Sequence, residues 1–499
     1  MNYSFSEFKK IYKQYDIVPI KLSLKISNAL QIHDLLSLLH KDQFVLLEGV
    51  SQQVKHDQFT YLGIDPYLTF QDINGTIYEK YTSHNKDFQH TEPIYDFIKK
   101  TLKRYQRIPA KLPVFAGGIM GMLTYESVRY LENINFNNSR KLDMPLSHFM
   151  IPHLMIIMDN YSQKIQIIYS IFTEFLTPEL LAESYERACN KLNETKRLIE
   201  SAISAASFEP LPLINPYKTV DYRCNMDSDT FIHHVNRCKQ YITEGDIFQV
   251  QISRRISLPF SGNPYHLYCH LRHHNPSPLM FYVHLNDTHL IGSSPELLVN
   301  VDNGKMCIRP IAGTRKRFSK TRSESEIINE LQHDPKEKAE HIMLVDLARH
   351  DIGRACQVQS VVVNDLMYIE KYSHVVHMVS DVEGDLLPQY DAVDALKFGF
   401  PAGTVTGAPK IRAMEIIEEL ESDQREFYAG GIAFFDFKGN LKSALTIRTI
   451  LVKEGISYTQ AAGGIVADSI PEMELLETEN KMKMCLSAMY QYNQNGATV

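Results

Sequence analysis

Acidic residues at helical spacing mark a segment in the second half of the chain. In DPKEKAEHIMLVDLARHDIGR, a helix would place Glu340 on the same face as Met343, Leu344 and Leu347. A carboxylate on an apolar stripe is costly unless it is paired or bound to a metal. Two interpretations of Glu340 follow, an ion pair with a nearby lysine near the helix end or a metal ligand.

The last predicted helix, in SIPEMELLETENK, carries Glu474, Glu477 and Lys481 on one face. A stabilising ion pair between Glu477 and Lys481 on a solvated helix is one interpretation. Together, Glu340 and Glu477 would also make a sparse carboxylate site, of the kind that Mg²⁺ occupies together with waters and substrate oxygens. Because no paired histidines accompany these acids, a zinc or copper site is not expected.

A candidate anion site lies between residues 428 and 464. Arg448, in LKSALTIRTILV, is predicted in the middle of a strand among apolar residues, where it needs an anion or a structural Asp or Glu. Tyr428 and a predicted turn at 461–464 fall in the same region. Backbone amides of small-residue turns can hold a carboxylate, although close strand packing would also explain the glycines.

Two further segments have loop character. In RPIAGTR, Gly313 and Thr314 can contact a ligand. A small residue, Ala312, separates them from the apolar residues that come before. GFPAGTVTGAPK leads into a helix, which is an anion-binding geometry, but it does not match a P-loop. Neither AGGIMG nor AAGGIVA matches a dinucleotide fingerprint. His377, in YSHVVHMVS, is predicted on a strand and has a pKa range suited to acid–base chemistry, with a structural role as the plainer alternative.

The elements that must position these residues mix strands with helices. Three strand-like runs between Tyr428 and Ala462, separated by KGN and KEG, predict an antiparallel meander. The alternation predicts an α+β fold with antiparallel-rich sheets in the core and helices outside. Other strands are predicted at 44–52 and 59–70, and helices at 180–203, 227–245, 334–349 and 409–421.

A Ser-, Ala- and Pro-rich stretch at about 201–217 predicts a connector between two regions, 1–205 and 218–490. The net charge of −7, with no strongly basic segment, argues against a nucleic-acid partner. No apolar run is long enough for a membrane span, and the charged N-terminus is unlike a signal peptide. Seven scattered cysteines without a C-x-x-C pair are typical of a reducing cytoplasm.

Taken together, these segments closely resemble the chorismate-utilising enzymes, and specifically the large subunit (component I) of anthranilate synthase. The N-terminal half matches less strongly, through LLEGV, GIDP and FAGGIMGMLTYESVR. The resemblance implies an α/β sandwich in which both regions contribute to one core. The strong matches span about 227–485 and are PIAGTR, KAEHIMLVDLARHDIGR, YSHVVHMVS, GTVTGAPKIRAMEIIEELE, YAGGIAFFD, LTIRT and ADSIPEMELLETENK.

The resemblance also implies roles for individual residues. It places Mg²⁺ on Glu340 and Glu477, a general acid at Glu296 in GSSPELL, and a role in the second stage of the reaction at His377. An acid that must donate its proton should be buried, with a raised pKa. The implied chorismate contacts are Gly313, Thr314, Tyr428, Arg448, Ala462, Gly463 and Gly464, with Ala462 standing where the family often has Gly.

The implied reaction is the first step of tryptophan biosynthesis. Ammonia adds at C2 of chorismate as the C4 hydroxyl leaves, and elimination of pyruvate then gives anthranilate. Since no cysteine lies in a nucleophile-elbow context, the ammonia is expected from a separate glutamine amidotransferase subunit (component II), or from free ammonium. The resemblance thus implies a cytoplasmic, heteromeric enzyme.

Two positions separate this chain from related chorismate enzymes. Gln249 stands where the water-adding isochorismate and salicylate synthases carry a lysine base, and Ala312 stands where aminodeoxychorismate synthases typically carry a nucleophilic lysine. Both differences favour attack of ammonia at C2. An aminodeoxychorismate synthase or another chorismate-aminating enzyme stays an alternative, as does a catalytically dead regulatory subunit, which the retained acids argue against.

The resemblance weakens at the family's tryptophan-binding motifs, LLES and NPSPYM. Here Gly49 removes a hydroxyl and Leu279 removes an aromatic ring, while Pro278 and Met280 keep the frame. We expect weakened or altered inhibition by tryptophan.

Overall fold

Strands and helices alternate along the chain in the computed structural model, which describes residues 2–25, 35–36, 43–49, 59–84, 86–110, 112–205, 222–317, 321–371 and 375–495. The helices are α1 (Phe5–Ile11), α2 (Ile94–Arg104), α3 (Leu181–Ala205), α4 (Ser228–Glu244), α5 (Pro264–His274), α6 (Glu324–His333), α7 (Pro335–Ala355), α8 (Ala392–Gly399), α9 (Lys410–Leu420) and α10 (Pro471–Asn495).

The strands are β1 (Ile17–Lys25), β2 (Phe44–Gly49), β3 (Phe59–Ile73), β4 (Thr76–Tyr81), β5 (Lys86–His90), β6 (Gly118–Leu123), β7 (Ser147–Asp159), β8 (Lys164–Phe172), β9 (Arg223–Cys224), β10 (Gln249–Pro259), β11 (Leu279–Leu285), β12 (Thr288–Ser294), β13 (Asn300–Asp302), β14 (Lys305–Ile308), β15 (Ile311–Lys316), β16 (Val362–Lys371), β17 (Val375–Asp385), β18 (Gly407–Ala408), β19 (Gly431–Asp436), β20 (Leu441–Leu445), β21 (Thr449–Lys453) and β22 (Ile456–Ile465).

The named strands pair antiparallel and follow two paths that share β7. One path runs β1–β8–β7–β3–β2–β11–β12–β21–β22–β10. The other runs β7–β6–β19–β20–β13–β14–β17. The register of the long pair β3–β7 shifts between Pro66 and Leu68, a bulge that bends the strands.

An apolar core joins the two paths. Phe281 and Leu451 of the first path cluster with Met120 and Phe434 of the second, all buried. A second cluster covers the other side of the first path, where Leu192 of α3, Leu267 of α5 and Met489 of α10 are buried. The predicted α+β fold, with antiparallel sheets in the core and helices outside, is therefore confirmed.

Both regions of the chain contribute strands to the same sheet. Leu47 of β2 is paired with Phe281 of β11, and Met120 of β6 is paired with Phe434 of β19. The implied common core is present. The predicted connector begins within the last residues of α3, and its residues 206–217 lie outside the described residues, so the boundary between the regions stays a prediction.

Local signals set three helix ends where they were predicted, while α7, predicted to end at 349, continues to Ala355. Asp227 caps α4 by accepting a hydrogen bond from the Thr230 N–H, and Gly245 ends the helix with φ at 85°, which favours glycine. Asp334 caps α7 in the same way, through the N–H groups of Lys336 and Glu337. Among the described residues, no helix has the length and apolar character needed to cross a membrane.

Candidate active site

Helices α7 and α10 bring the two predicted metal ligands to one place. Glu340 lies in the second turn of α7, and Glu477 lies in the second turn of α10. Burial raises the pKa of Glu340, and the charges of Glu337 and Glu477 raise it further. The two predicted acids therefore repel each other across the gap between the helices, as expected where carboxylates gather to receive a cation.

Two more acids lie three residues before these and were not assigned from the sequence. Glu474 is buried, and its Oε1 accepts a hydrogen bond from the Ser469 hydroxyl at 2.7 Å. Its Oε2 is buried without a hydrogen-bond partner. Glu337 accepts a hydrogen bond from Arg315 at 2.7 Å. The repeated E-x-x-E spacing on α7 and α10 was the signal that could have found them.

Lys481 stands among these acids. Its Nζ lies 2.6 Å from Glu477 Oε1 and donates a hydrogen bond to the carbonyl of Ala462 at 2.8 Å. The predicted ion pair between Glu477 and Lys481 is therefore present. We call the four acids Glu337, Glu340, Glu474 and Glu477 the acidic group. Over the described part of the chain, no three His, Cys, Asp or Glu side chains are close enough to hold a metal ion by themselves.

Glu296 follows β12 and is buried at 8% exposure. Its Oε1 accepts a hydrogen bond from the Thr404 hydroxyl at 2.5 Å. Burial raises the pKa of Glu296 to about 7, against smaller lowering effects of Thr404 and of the Lys481 charge. A raised pKa is the direction expected of a general acid. Thr404 was missed because only the folded chain brings residue 404 of the GTVTG loop to this acid.

His377 lies on β17, opposite Thr314 of β15. Burial lowers the pKa of His377 to about 4; a hydrogen bond with the Gly313 backbone opposes this effect, and the charge of Arg448 adds to it. The imidazole is therefore neutral at neutral pH. Gly313 forms a bulge with φ at 72°, and a Cβ there would lie 3.1 Å from Glu337 Oε2. Glycine is thus required for this loop to approach the acids.

Arg448 does not lie in the middle of a strand, as was predicted. It occupies a bend between β20 and β21 with φ at 51°, because the chain must turn before β21 pairs with β12. Its Nη1 donates to the carbonyl of Lys481 at 2.6 Å. Within the described residues, no carboxylate lies within ion-pair distance of Arg448, although burial lowers the pKa of its guanidinium. An external anion would complete its environment.

The predicted turn at 461–464 is also wrong, because these residues belong to β22. Ser253 is paired with Ala462, Ile252 with Gly463 and Gln251 with Gly464. A Cβ on Gly463 would lie 3.1 Å from Glu474 Oε2, and one on Gly464 would lie 3.2 Å from Gln249 Nε2. The glycines therefore admit neighbouring polar side chains to the strand.

Tyr428 precedes β19 and is buried. Burial raises its pKa to about 12, while the charge of Arg425, that of Arg448 and a hydrogen bond with the Ala462 backbone act in the opposite direction. The phenol is therefore protonated at neutral pH. These interactions connect the turn that contains Tyr428 to β22 and to Arg448.

The four residues at the predicted tryptophan motifs line a separate pocket. Gly49, Pro278, Leu279 and Met280 lie there together with aromatic and aliphatic side chains that include Tyr61. Gly49 of β2 is paired directly with Leu279 of β11. We call this space the β2–β11 pocket. Tryptophan binding to it stays a prediction.

Similarity to known proteins extends over most of the chain. The family of chorismate binding enzymes matches residues 45–487. The chain is 38% identical to anthranilate synthase component 1 of Aquifex aeolicus (strain VF5), over 98% of each chain. It is 36% identical to aminodeoxychorismate synthase component 1 of Bacillus subtilis (strain 168), over 88% of this chain and 93% of that one.

The fold matches as well. The crystal structure of anthranilate synthase component I from Streptococcus pneumoniae TIGR4 superposes with a TM-score of 0.74 at 34% identity, covering 87% of this chain and 94% of that one.

The chain belongs to the chorismate-binding enzyme family. In this family member, contacts link most of the predicted site residues to one another. Arg448 contacts the backbone of Lys481, and Lys481 contacts both Glu477 and Ala462. The charge of Glu477 in turn raises the pKa of Glu340. Thr314 is placed by its backbone alone, opposite His377. Lys481 was seen in the sequence only as a partner of Glu477, and its central place appears only in the fold.

Proposed function

We propose that this chorismate-binding enzyme is component I of an anthranilate synthase. It would convert chorismate and ammonia to anthranilate, pyruvate and water, at the head of tryptophan biosynthesis in the cytoplasm. The observation that carries the proposal is Glu296, a buried carboxyl with a pKa of about 7 held by Thr404 beside an otherwise charged site. About half of such a group is protonated at pH 7, and the protonated form can release a leaving hydroxyl as water.

Arg448 and Tyr428 would bind the enolpyruvyl carboxylate of chorismate. Arg448 is half-buried and lacks a carboxylate partner among the described residues, and Tyr428 offers a protonated phenol. An incoming carboxylate would therefore replace water around a guanidinium whose positive charge no described carboxylate neutralises. The backbone of Gly313 and Thr314, and that of Ala462 to Gly464, would line the rest of the substrate.

The acidic group suits a magnesium ion. Glu340 and Glu477 would hold it, since both are hard oxygen donors near the substrate region, and Glu474 Oε2, buried without a hydrogen-bond partner, is a further oxygen donor. When bound, Mg²⁺ would orient and polarise the ring carboxylate of chorismate. Lys481 would remain beside Glu477 and moderate the negative charge.

The proton steps follow from the protonation states. Glu296 would donate its proton to the C4 hydroxyl as ammonia forms the bond to C2, and water leaves. Removal of the C2 proton then accompanies loss of pyruvate. A neutral His377 can accept that proton or orient the substrate through its ring nitrogens.

Ammonia would come from glutamine through component II, a separate amidotransferase subunit. The component number in the names of the relatives supports this division. Tryptophan is the proposed inhibitor at the β2–β11 pocket.

The decisive assay incubates the purified chain with chorismate, Mg²⁺ and ammonium and follows anthranilate fluorescence. We expect anthranilate and an equal amount of pyruvate, both abolished by EDTA and restored by Mg²⁺. Boiled protein and protein without ammonium are the controls. Failure to form anthranilate would overturn the proposal.

The second candidate is amination at C4, because the aminodeoxychorismate synthase component 1 of Bacillus subtilis is 36% identical. Ala312 argues against it, since that position offers no amine nucleophile. Chromatography of the same reaction separates the two outcomes. A 4-amino product that releases no pyruvate without a second enzyme would favour this candidate.

A further inference from the structure

Helix α5 carries histidines at helical spacing in PYHLYCHLRHH. His266, His270 and His274 are each four residues apart, so they follow one another along one side of the helix. The ring centres of His270 and His274 lie 4.6 Å apart. The His270 ring also meets the ring of Tyr492, near the end of α10, with centres 5.5 Å apart. Two imidazoles are thus packed between α5 and α10.

His270 is fully buried, yet its polar atoms are not satisfied. Its exposed fraction is 0%, and neither of its ring nitrogens has a hydrogen-bond partner within the described part of the chain. The same holds for the Tyr492 hydroxyl beside it, which is also buried. A buried polar atom without a partner destabilises the folded chain. Three such atoms side by side indicate a place that a ligand completes.

The protonation state of His270 restricts the class of ligand. Burial, together with the charges of His274 and His273, lowers the pKa of His270 to about 3. The ring is therefore neutral at neutral pH, and one of its nitrogens carries a free lone pair. Neutral imidazole is the form that binds transition metals. Mg²⁺ takes oxygen ligands instead, so a site at His270 differs in kind from the acidic group.

The spacing of the two rings fits a single ion. With metal–nitrogen bonds of about 2.1 Å and bond angles of about 90–110°, two imidazoles on one ion have ring centres about 4.5–5.2 Å apart. The 4.6 Å between His270 and His274 falls in this range. Since no three His, Cys, Asp or Glu side chains come together over the described ranges, the protein would supply two ligands and solvent the others. His274 is partly exposed, which gives an ion access to the pair.

Helix α5 also supports the β2–β11 pocket. Tyr268 and Arg272, one on each side of His270 in the sequence, both donate hydrogen bonds to Glu48, which lines this pocket. Beyond α5 the chain runs directly to Pro278 of the same pocket. An ion bound to two successive turns of α5 would therefore fix the helix that holds one wall of the pocket.

We propose that His270 and His274 form a binding site for a divalent transition-metal ion of the zinc, nickel or copper class. The two imidazoles bind the ion, water fills its other positions, and such a water can hydrogen-bond with the Tyr492 hydroxyl. The site is separate from the proposed magnesium site and does not depend on the proposed function. Its occupancy stabilises the folded chain, because the ion binds a pair that exists only in the folded helix.

The test measures Zn²⁺ binding to the full-length chain, freed of any affinity tag, by competition with a chromophoric zinc indicator. Excess Mg²⁺ is present so that the acidic group does not take up Zn²⁺. The site variants are His270→Leu and His274→Ala. The matched control is His233→Ala/His234→Ala, which removes two adjacent histidines of α4 whose ring centres lie 6.0 Å apart. Adjacent positions on a helix do not face each other, so this pair cannot bind one ion in the same way.

We expect one Zn²⁺ per chain, which Ni²⁺ and Cu²⁺ displace and Ca²⁺ does not. Each site variant should weaken this binding at least about tenfold, because each imidazole supplies half of the protein ligands. The control should bind Zn²⁺ as the unmodified chain does. Saturating Zn²⁺ should raise the melting temperature of the unmodified chain and the control by about 2–4 °C and leave that of both site variants unchanged.

Zn²⁺ binding that persists in both site variants, or that the control loses, would overturn the proposal, and so would an unmodified chain that binds no Zn²⁺. His274→Ala changes a partly exposed position and decides the matter alone if His270→Leu folds poorly. The outcome is independent of anthranilate formation, so failure of the proposed function would be seen separately in the activity assay.

Discussion

The candidate active site and the β2–β11 pocket differ in how the fold builds them. The candidate active site gathers charged side chains from helices and loops that all lie between residues 296 and 481. The β2–β11 pocket is largely apolar and lies where a strand of the N-terminal region meets one of the C-terminal region. The candidate active site thus comes from one region of the chain, while the pocket requires both.

The two sites nevertheless share a short segment. Pro295 and Leu297 line the β2–β11 pocket, and the residue between them is Glu296. A ligand in the pocket would therefore press on the two neighbours of the proposed acid. Variants at each site should affect different measurements in an otherwise common assay, which makes the comparison testable.

The largest effect should come from Glu296→Gln. The amide keeps the shape but cannot donate a carboxylic proton, so the ammonium-driven kcat should fall by about 10² to 10⁴. The affinity for chorismate, measured by calorimetry, should change little, and so should any binding of tryptophan. A variant that keeps more than a tenth of the activity would remove Glu296 from the proposed acid role.

The pH profile should show the same group. With a pKa of about 7, Glu296 is protonated below that pH and loses its proton above it. After correction for the concentration of unprotonated ammonia, kcat should be level below about pH 7 and fall about tenfold per pH unit above it. A rate that stays level to pH 9 would contradict this assignment.

Restoring the missing groups in the β2–β11 pocket should change regulation and spare catalysis. Gly49→Ser with Leu279→Tyr returns a hydroxyl and an aromatic ring, worth about 1 kcal/mol each before any strain is subtracted. Half-inhibition should then occur at a tryptophan concentration about tenfold lower, with kcat unchanged. The matched control Gly49→Ala with Leu279→Phe lacks both hydroxyls and should gain less. Equal inhibition in all variants would place tryptophan elsewhere.

The smallest effect should come from Thr404→Val, which removes one hydroxyl and keeps the shape. The Thr404 hydrogen bond lowers the pKa of Glu296, so its loss should move the falling limb of the pH profile upward by less than about one unit. Thr404→Ser, which keeps the hydroxyl, should leave the limb in place. A downward shift would show that Thr404 stabilises the neutral acid instead.

Local signals in the sequence predicted much of the fold. The capping residues Asp227 and Asp334 and the left-handed Gly245 set helix ends that the structure reproduces. The spacing of Glu477 and Lys481 predicted their ion pair. Such features depend on neighbours within one or two helical turns, which a sequence displays directly.

Features that depend on distant partners were not predictable. The residues around Arg448 all favour strands, yet the pairing of β21 with β12 forces a bend there. The glycines of β22 looked like a turn, but they make room for Gln249 and Glu474. Thr404 meets Glu296 across 108 residues, a distance that no local pattern reports.

The pairing of β2 with β11 has a consequence for synthesis on the ribosome. Leu47 of β2 pairs with Phe281 of β11, which is synthesised 234 residues later. Until then, this edge of β2 is uncovered. At about 5–20 residues per second, the wait lasts on the order of 10–50 s. During that time an apolar strand edge is open to other chains, so early chaperone contact with the nascent N-terminal strands should govern the yield of soluble enzyme.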